Sequence, residues 1–454
     1  MSGLTPELGY ARAADGTHIA YLVSGRGPVD LLWLRGIYTN VEHEWAEPVL
    51  ARMLRRLGSV ARVITMDRRG TGLSDRVVGR PPGTLEDRAD DIGAVLDAVG
   101  SRAAVLVGLV SGASLCAVFA ATHPERTAGL VVYNPDPTRG WGSGRRPDDD
   151  PAYARLIDGV RAGWGTEAFA AAILAESAPS RADDRALAGW LAEDQRLSGG
   201  VDDAIAVLRT DHETDVTAIL PAVHVPTLVI ARGRPDLPPG RRVAAAIPGA
   251  TLLELPGDDR MALAGDSDAI VDAIEGFLAA RRTVPEVDDR ILASVLVTDV
   301  VGSTALAARI GDRAWADRLE RHRARVRAML VRYRGREVDT AGDGFLATFD
   351  GPGRAIRCGL EIAGTATVDG LMVRAGIHTG EVEPVGREIR GVAVHIAARV
   401  AALAGPAEVF VTSTVRDLVA GSGLTFEDRG RRSLKGLPGR WQVLAAVPPG
   451  PTSG

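Results

Sequence analysis

Ile291-Leu-Ala-Ser-Val-Leu-Val-Thr-Asp299-Val-Val-Gly302-Ser303-Thr304 and, further along, Glu337-Val-Asp339-Thr-Ala-Gly342-Asp343-Gly-Phe-Leu-Ala-Thr-Phe349 are the stretches from which the chain's organisation can be read. The first is an apolar run suited to a buried strand, and it ends on Asp299. Gly302-Ser303-Thr304 then opens a helix, whose free N–H groups and dipole make a seat for an anion. The second reads as two short strands around a Gly-Asp-Gly turn. Asp299 at a strand's carboxyl end and Asp343 at a hairpin tip can therefore converge on one site. Paired carboxylates suit Mg²⁺ or Mn²⁺, hard cations that prefer carboxylate and phosphate oxygens. Taken singly, each has a plainer reading, since an aspartate after a strand caps helices and Gly-Asp-Gly is a common turn.

Two later segments follow in the chain, Gly376-Ile-His-Thr-Gly380 and Gly391-Val-Ala-Val-His395-Ile-Ala-Ala-Arg399. Together, and in this order, the four segments resemble the catalytic domain of class III nucleotide cyclases, an α+β fold of ferredoxin-like type, over residues 291–447. The resemblance implies a cyclic nucleotide formed by attack of the ribose 3′-hydroxyl on the α-phosphate, with pyrophosphate leaving. It implies two Mg²⁺ or Mn²⁺ ions per active site on Asp299 and Asp343, with Arg399 as the transition-state arginine. His395 stands where the family usually has asparagine, which implies reduced turnover. Asp339 and Glu388 stand where adenylyl cyclases typically carry a lysine and an aspartate against adenine. Carboxylates accept hydrogen bonds, so guanine would pair naturally with one of them, whereas a carboxyl kept protonated would restore a donor for adenine. ATP is the expected substrate and GTP the alternative. Gly302, Ser303 and Thr304 are expected at the phosphates. Lys435, the chain's single lysine, is either at the triphosphate tail or a solvated loop residue. The family's architecture implies a homodimer through the cyclase domain, because the residues of each site come from two chains.

Upstream, apolar runs at residues 31–34, 62–66, 103–108, 129–133, 227–230 and 251–255 alternate with helix-like stretches, the pattern of a mostly parallel sheet covered on both faces. Asp67-Arg-Arg-Gly-Thr-Gly-Leu-Ser-Asp75 and Ala120-Ala-Thr-His-Pro-Glu-Arg-Thr127 resemble segments of α/β-hydrolases, so residues 1–282 are expected to take that fold, with a helical cap over about 140–215. Hydrolysis there needs Gly-x-Ser-x-Gly followed by an acid and a histidine. The turn reads Gly108-Leu-Val110-Ser-Gly112, and valine cannot attack a carbonyl. The acid's place is taken by Asp236, and Arg260 occupies the expected histidine position, so Asp236 and Arg260 are read as an ion pair in a domain without hydrolase activity. Such a domain either senses an unknown small molecule or serves only in dimerisation or solubility. The combination resembles the actinobacterial, mycobacterial-type adenylyl cyclases with an N-terminal α/β-hydrolase-like domain.

Composition sets the remaining bounds. At 454 residues, 46% hydrophobic, 24% charged and net charge −5, the chain suits a soluble protein of two or three domains, and no basic excess points to nucleic acid. Two cysteines make no disulfide framework and fit a reducing, cytoplasmic location. The first residues show neither a basic leader nor an apolar core. The uncharged run Ala103–Thr122 is interrupted by Gly108, Ser111, Gly112 and Ser114, and reads as strand, turn and helix rather than a membrane span. Residues 283–290, with Pro285, are read as a linker and 448–454 as a disordered tail. A basic amphipathic helix is expected over 312–333, a strand over 371–378, and a turn at His378-Thr-Gly380.

Overall fold

The computed structural model describes residues 6–37, 39–76, 83–135, 150–233, 239–280, 290–340, 342–365, 370–385 and 388–448. Contacts divide the chain into two compact units, Met1–Asp288 and Asp289–Gly454. Asp236, the expected linker up to residue 289 and the tail beyond residue 448 lie outside the described residues.

In the first unit, β1 (Glu7–Arg12), β2 (His18–Ser24), β3 (Asp30–Leu34), β4 (Arg62–Met66), β5 (Ala104–Leu109), β6 (Thr127–Tyr133), β7 (Thr227–Arg232) and β8 (Thr251–Leu255) form one sheet in the order β1-β2-β4-β3-β5-β6-β7-β8. β1, β2 and β4 pair antiparallel, and from β4 across to β8 every neighbouring pair is parallel. Leu31, Leu32, Val105, Leu106, Val107, Leu130, Val131 and Val132 are buried on both faces, which is why these strands read as continuous apolar runs. The helices α1 (Pro48–Gly58), α2 (Leu85–Ala98) and α3 (Gly112–Thr122) follow β3, the Asp67–Asp75 loop and β5. Among the described residues, the α-helices between β6 and β7 are α4 (Pro151–Gly163), α5 (Glu167–Ser177), α6 (Arg185–Ser198) and α7 (Val201–Glu213). They lie within the stretch 150–215, and part of it has a core of its own, with Tyr153, Ile157 and Val160 of α4 packed on Ala204, Val207 and Leu208 of α7. The unit ends with α8 (Pro239–Ala246) and α9 (Ser267–Ala279). The Ala103–Thr122 run is β5, a turn and α3, as expected.

The second unit is built on β9 (Ile291–Val300). After it come α10 (Ser303–Ile310), α11 (Asp312–Arg332), β10 (Arg336–Asp339), β11 (Phe345–Phe349), α12 (Pro352–Thr365), β12 (Val373–Val385), β13 (Glu388–Arg390), α13 (Val392–Leu403), β14 (Val409–Thr412), α14 (Ser413–Leu418), β15 (Thr425–Arg432) and β16 (Trp441–Val447). The sheet order is β10-β11-β9-β12-β14-β16-β15, with β13 pairing on the end of β12. Alternation along β9 separates two cores. Leu296 and Val300 pack with Val326 and Leu330 of α11 and Ile356 of α12, while Ala293 and Val295 pack with Ala393 and Ala397 of α13. One expectation is corrected here: His378-Thr-Gly380 is not a turn. β12 stays paired with β9 through His378↔Val295 and on to Val382↔Ile291, because β9 runs far enough to offer these residues ladder partners.

Candidate active site

Asp299 is the penultimate residue of β9, and Gly302 shortly after it caps α10 at φ +69°, a left-handed conformation that glycine adopts without strain. The pairing Phe345↔Thr298 brings the Gly342-Asp343-Gly344 turn alongside that end, so the two aspartates occupy neighbouring strand termini. The turn is fixed from α11: Arg323 donates to Gly342 O (2.6 Å) and to Glu320 (2.7 Å), and Arg327 holds Glu337 through two bonds of 2.9 and 3.0 Å. Thr340 Oγ1 donates to the same Glu337 at 2.6 Å. On α11, Arg323, Arg327 and Arg332 form salt bridges with Glu320, Glu337 and Glu361.

Asp343 is half-buried, and its Oδ2 is sealed from solvent with no hydrogen-bond partner. Asp299 is held by Arg374, whose Nε and Nη2 both donate to Oδ2 at 2.9 and 2.6 Å. Arg374 lies directly opposite Asp299 in the β9–β12 ladder. A buried carboxylate oxygen without a partner asks for a cation or a donor. Among the described residues no three His, Cys, Asp or Glu side chains cluster to cage a metal. Two carboxylates therefore fit a Mg²⁺-like ion that completes its shell with substrate oxygens and water, and do not fit a closed structural metal site.

His395 and Arg399 are exposed on α13, one turn apart on the same face. Neither has a partner among the described residues. Asp339 at the end of β10 and Glu388 at the start of β13 are both exposed, and β10 runs next to β13. Ser303 and Thr304 form the first turn of α10. Lys435 is exposed in the loop between β15 and β16. Within one chain the structure therefore brings Asp299 and Asp343 together and places Asp339 near Glu388. His378 is structural: it is buried, hydrogen-bonded to Thr412 Oγ1 at 2.9 Å and edge-on to Trp441, and burial pulls its pKa down to about 4.

In the first unit, Val110 stands at the strand-to-helix turn with φ +54°, an outlier for a β-branched residue. The flanking glycines are required. A Cβ on Gly108 would come within 2.4 Å of Ala113 Cα, and one on Gly112 within 2.4 Å of Arg35 O. The sharp elbow of a nucleophile is kept without the nucleophile. Ser111 is buried and faces Arg68 (3.4 Å), and Ser114 is buried within α3. Arg260 lines the cavity above the elbow, and its proposed partner Asp236 is outside the described residues. Sequence reasoning missed His212, which also lines that cavity and stacks on Tyr153. It missed Arg374 and Arg323 as well. Alternation along β12 was the one signal for Arg374, and nothing local marked Arg323.

The profile of the "alpha/beta hydrolase fold" family matches residues 31–166, and that of the "Adenylate and Guanylate cyclase catalytic domain" matches 288–445. A "Putative carbamate hydrolase RutD" of Caulobacter sp. (strain K31) is 32% identical over 222 residues, 46% of this chain and 75% of that protein. This chain belongs to the α/β-hydrolase family. It joins such a domain to a cyclase catalytic domain. The hydrolase-like part is also 38% identical to the protein of the same description in Caulobacter segnis, but over only 96 residues, so the chain spans about a third (32%) of that relative's length. The cyclase domain is 26% identical to "Putative adenylate cyclase 3" of Rhizobium meliloti (strain 1021) over 157 residues, 33% of this chain and 27% of that protein. A bromoperoxidase from Bacillus anthracis superposes with a TM-score of 0.50 at 20% identity, covering 60% of this chain and all of its own, which is a likeness of fold alone. No described helix is long and apolar enough to cross a membrane.

Proposed function

We propose that the cyclase domain converts ATP to 3′,5′-cyclic AMP and pyrophosphate in a site completed by a second copy of the chain. The observation that carries this reading is the sealed, partnerless Oδ2 of Asp343 beside Asp299. Asp299 and Asp343 would hold two Mg²⁺ or Mn²⁺ ions, which when bound lower the pKa of the ribose hydroxyl and neutralise phosphate charge. The chain's own residues supply the rest. Amides at Gly302, Ser303 and Thr304 face a polyanion at a helix start. Arg374 adds positive charge next to Asp299. Arg399 presents a guanidinium able to grip phosphate oxygens as charge builds in the transition state, and His395 donates toward the ribose. Both project from an exposed helix face with no partner among the described residues, which is why the reading requires a homodimer. Lys435, solvent-exposed, is assigned to the triphosphate tail.

GTP is retained as a second substrate because Asp339 and Glu388 are exposed carboxylates, which accept the N1–H and N2–H₂ donors of guanine more readily than they serve adenine N1. A cytoplasmic location and the actinobacterial fusion type belong to the same reading, as does a regulatory first domain whose own chemistry is silent at Val110. Purified full-length chain with Mn²⁺ is expected to yield cyclic AMP from ATP, and side-by-side product analysis with GTP sets the base preference. Asp299→Ala and Asp343→Ala are each expected to abolish product. If neither nucleotide is cyclised, the chain binds nucleotide without turning it over and the enzymatic reading fails.

A further inference from the structure

Between the cap and the sheet of the first unit lies a cluster of buried charge that does not balance. Glu44 sits on a single helical turn, His43–Ala46, Asp67 follows β4, and Asp194 belongs to α6 of the cap. Their exposures are 2%, 0% and 0%. Arg35, after β3, is the guanidinium they share: its Nη1 donates to Glu44 Oε1 at 3.2 Å and its Nη2 to Asp194 Oδ2 at 2.9 Å. Three ionised carboxyls around one arginine would leave negative charge uncompensated away from water, which is costly.

The remaining oxygens of the same side chains carry the second observation. Glu44 Oε2, Asp67 Oδ1 and Asp194 Oδ1 are each sealed from solvent with no hydrogen-bond partner among the described residues. Buried acceptors normally meet a donor. Among the described residues no three such side chains cluster to cage a metal, so protons are left to supply the missing donors. A neutral carboxyl removes one charge and offers one O–H. Burial, opposed by Arg35 and reinforced by Asp67 and Asp194, holds the Glu44 carboxyl up at about 8; burial likewise lifts Asp67 to about 7 and raises Asp194.

The other charged groups near the cluster have their own contacts. His43 stacks on Trp190 of α6 with ring centroids 5.3 Å apart, its Nε2 lies 3.3 Å from Trp190 O, and Trp190 Nε1 donates to His43 O at 3.2 Å. Glu47 caps α1 at the Leu50 amide and pairs with Arg181 at 3.4 Å, while Arg55 of α1 lies over the Trp45 ring. Arg68 is bound to Asp211, and Glu167 and Glu176 of α5, which packs on α6, are exposed. The contact of α6 with the His43–Ala46 turn therefore runs through Trp190 and Asp194.

We propose that Glu44, Asp67 and Asp194 form a proton-operated latch on the cap: protons shared among them hold α6 on the His43–Ala46 turn, and their loss at alkaline pH releases it. The folded-state values lie above the usual carboxyl ones, so the latch is fully made at acid pH and is lost as pH climbs to about 8. Trp190 also lines the cavity under the cap, so release alters that wall. The latch does not depend on cyclase turnover, and the two can fail separately.

Amide hydrogen exchange on the full chain at about pH 6.5 and about pH 9, with labelling times scaled to the intrinsic rate, reads the latch locally. Exchange in α6 is expected to rise about tenfold or more at the higher pH, while α3 keeps its protection. Asp194→Asn keeps the shape and removes one charge, so it should abolish the rise; should that variant not fold, Glu44→Gln provides the same test. A flat α6 profile, an equal rise in α3, or the wild-type rise persisting in a folded variant would each overturn the assignment. So would failure of both variants to fold, because a site that holds neutral carboxyls accepts the amides that match them in shape.

Discussion

Replacing Gly376 by alanine tests the link between the packing of the second unit and its chemistry. Gly376 lies in the middle of β12 under α13, and an added Cβ would stand 2.1 Å from Ala401 N and 2.6 Å from Ala397 O, where ordinary contact begins at 3.4 Å. Both obstacles are backbone, so no side chain can swing aside and α13 must retreat by about 1 Å. Overpacking of this kind costs about 3 kcal/mol, which for a unit of this size lowers Tm by roughly 6–12 °C. The same helix carries His395 and Arg399 on its outer face, and a displacement of that order at a catalytic group costs about 100-fold in rate. Asp299 and Asp343 belong to β9 and the hairpin, so Mn²⁺ binding should persist. Thermal unfolding, Mn²⁺ titration and cyclic nucleotide formation on one preparation separate these effects. Gly364→Ala, on the exposed side of α12 with nothing within 4 Å of the new Cβ, is the matched control and should be neutral or slightly stabilising. A Gly376→Ala protein that melts and turns over like wild type would refute the packing argument.

Arg323→Ala should free the Gly342-Asp343-Gly344 turn while leaving α11 folded, weakening Mn²⁺ binding several-fold with a stability loss of about 1 kcal/mol, read by titration and denaturant unfolding. Burial, reinforced by Asp67 and Asp194 and only partly opposed by Arg35, pushes the Glu44 carboxyl up to about 8. Its folded pKa lies above its usual 4.5, so the folded state holds the extra proton and stability contributed by this group falls as pH rises from 4.5 to about 8; Glu44→Gln should flatten that slope in thermal melts of the first unit. His378 runs the other way. With its pKa depressed from 6.5 to about 4, the unfolded chain takes up the proton first, so the second unit should lose stability as pH falls through that window, and His378→Asn should reduce the loss.

Much of the candidate site was legible because its signals are local. A strand ending in aspartate, a Gly-Asp-Gly turn and a helix face repeating every fourth residue each depend on a few neighbouring residues, and the structure keeps all three. The strand over 371–378 was cut short because glycine and histidine in sequence resemble a turn, whereas the partner strand β9 was long enough to hold them in the ladder. That a valine, Val110, stands at the strand-to-helix turn was readable from the sequence. That the elbow nonetheless keeps its strained φ was not, since the force that holds it comes from Tyr133 and Arg35, distant in the chain.

The sequence by itself determined the two kinds of domain, their order, the acidic pair and the arginine helix, because short-range periodicity and residue chemistry suffice for these. Only the tertiary structure decided which cation meets Asp299, which side chain pins the Asp343 turn, and that a large cavity stands over an intact elbow. Arg374 and Asp299 are 75 positions apart, and Arg68 and Asp211 are 143. Pairings at such separations are set by sheet register and by the folding of the cap onto the sheet, which no local pattern encodes.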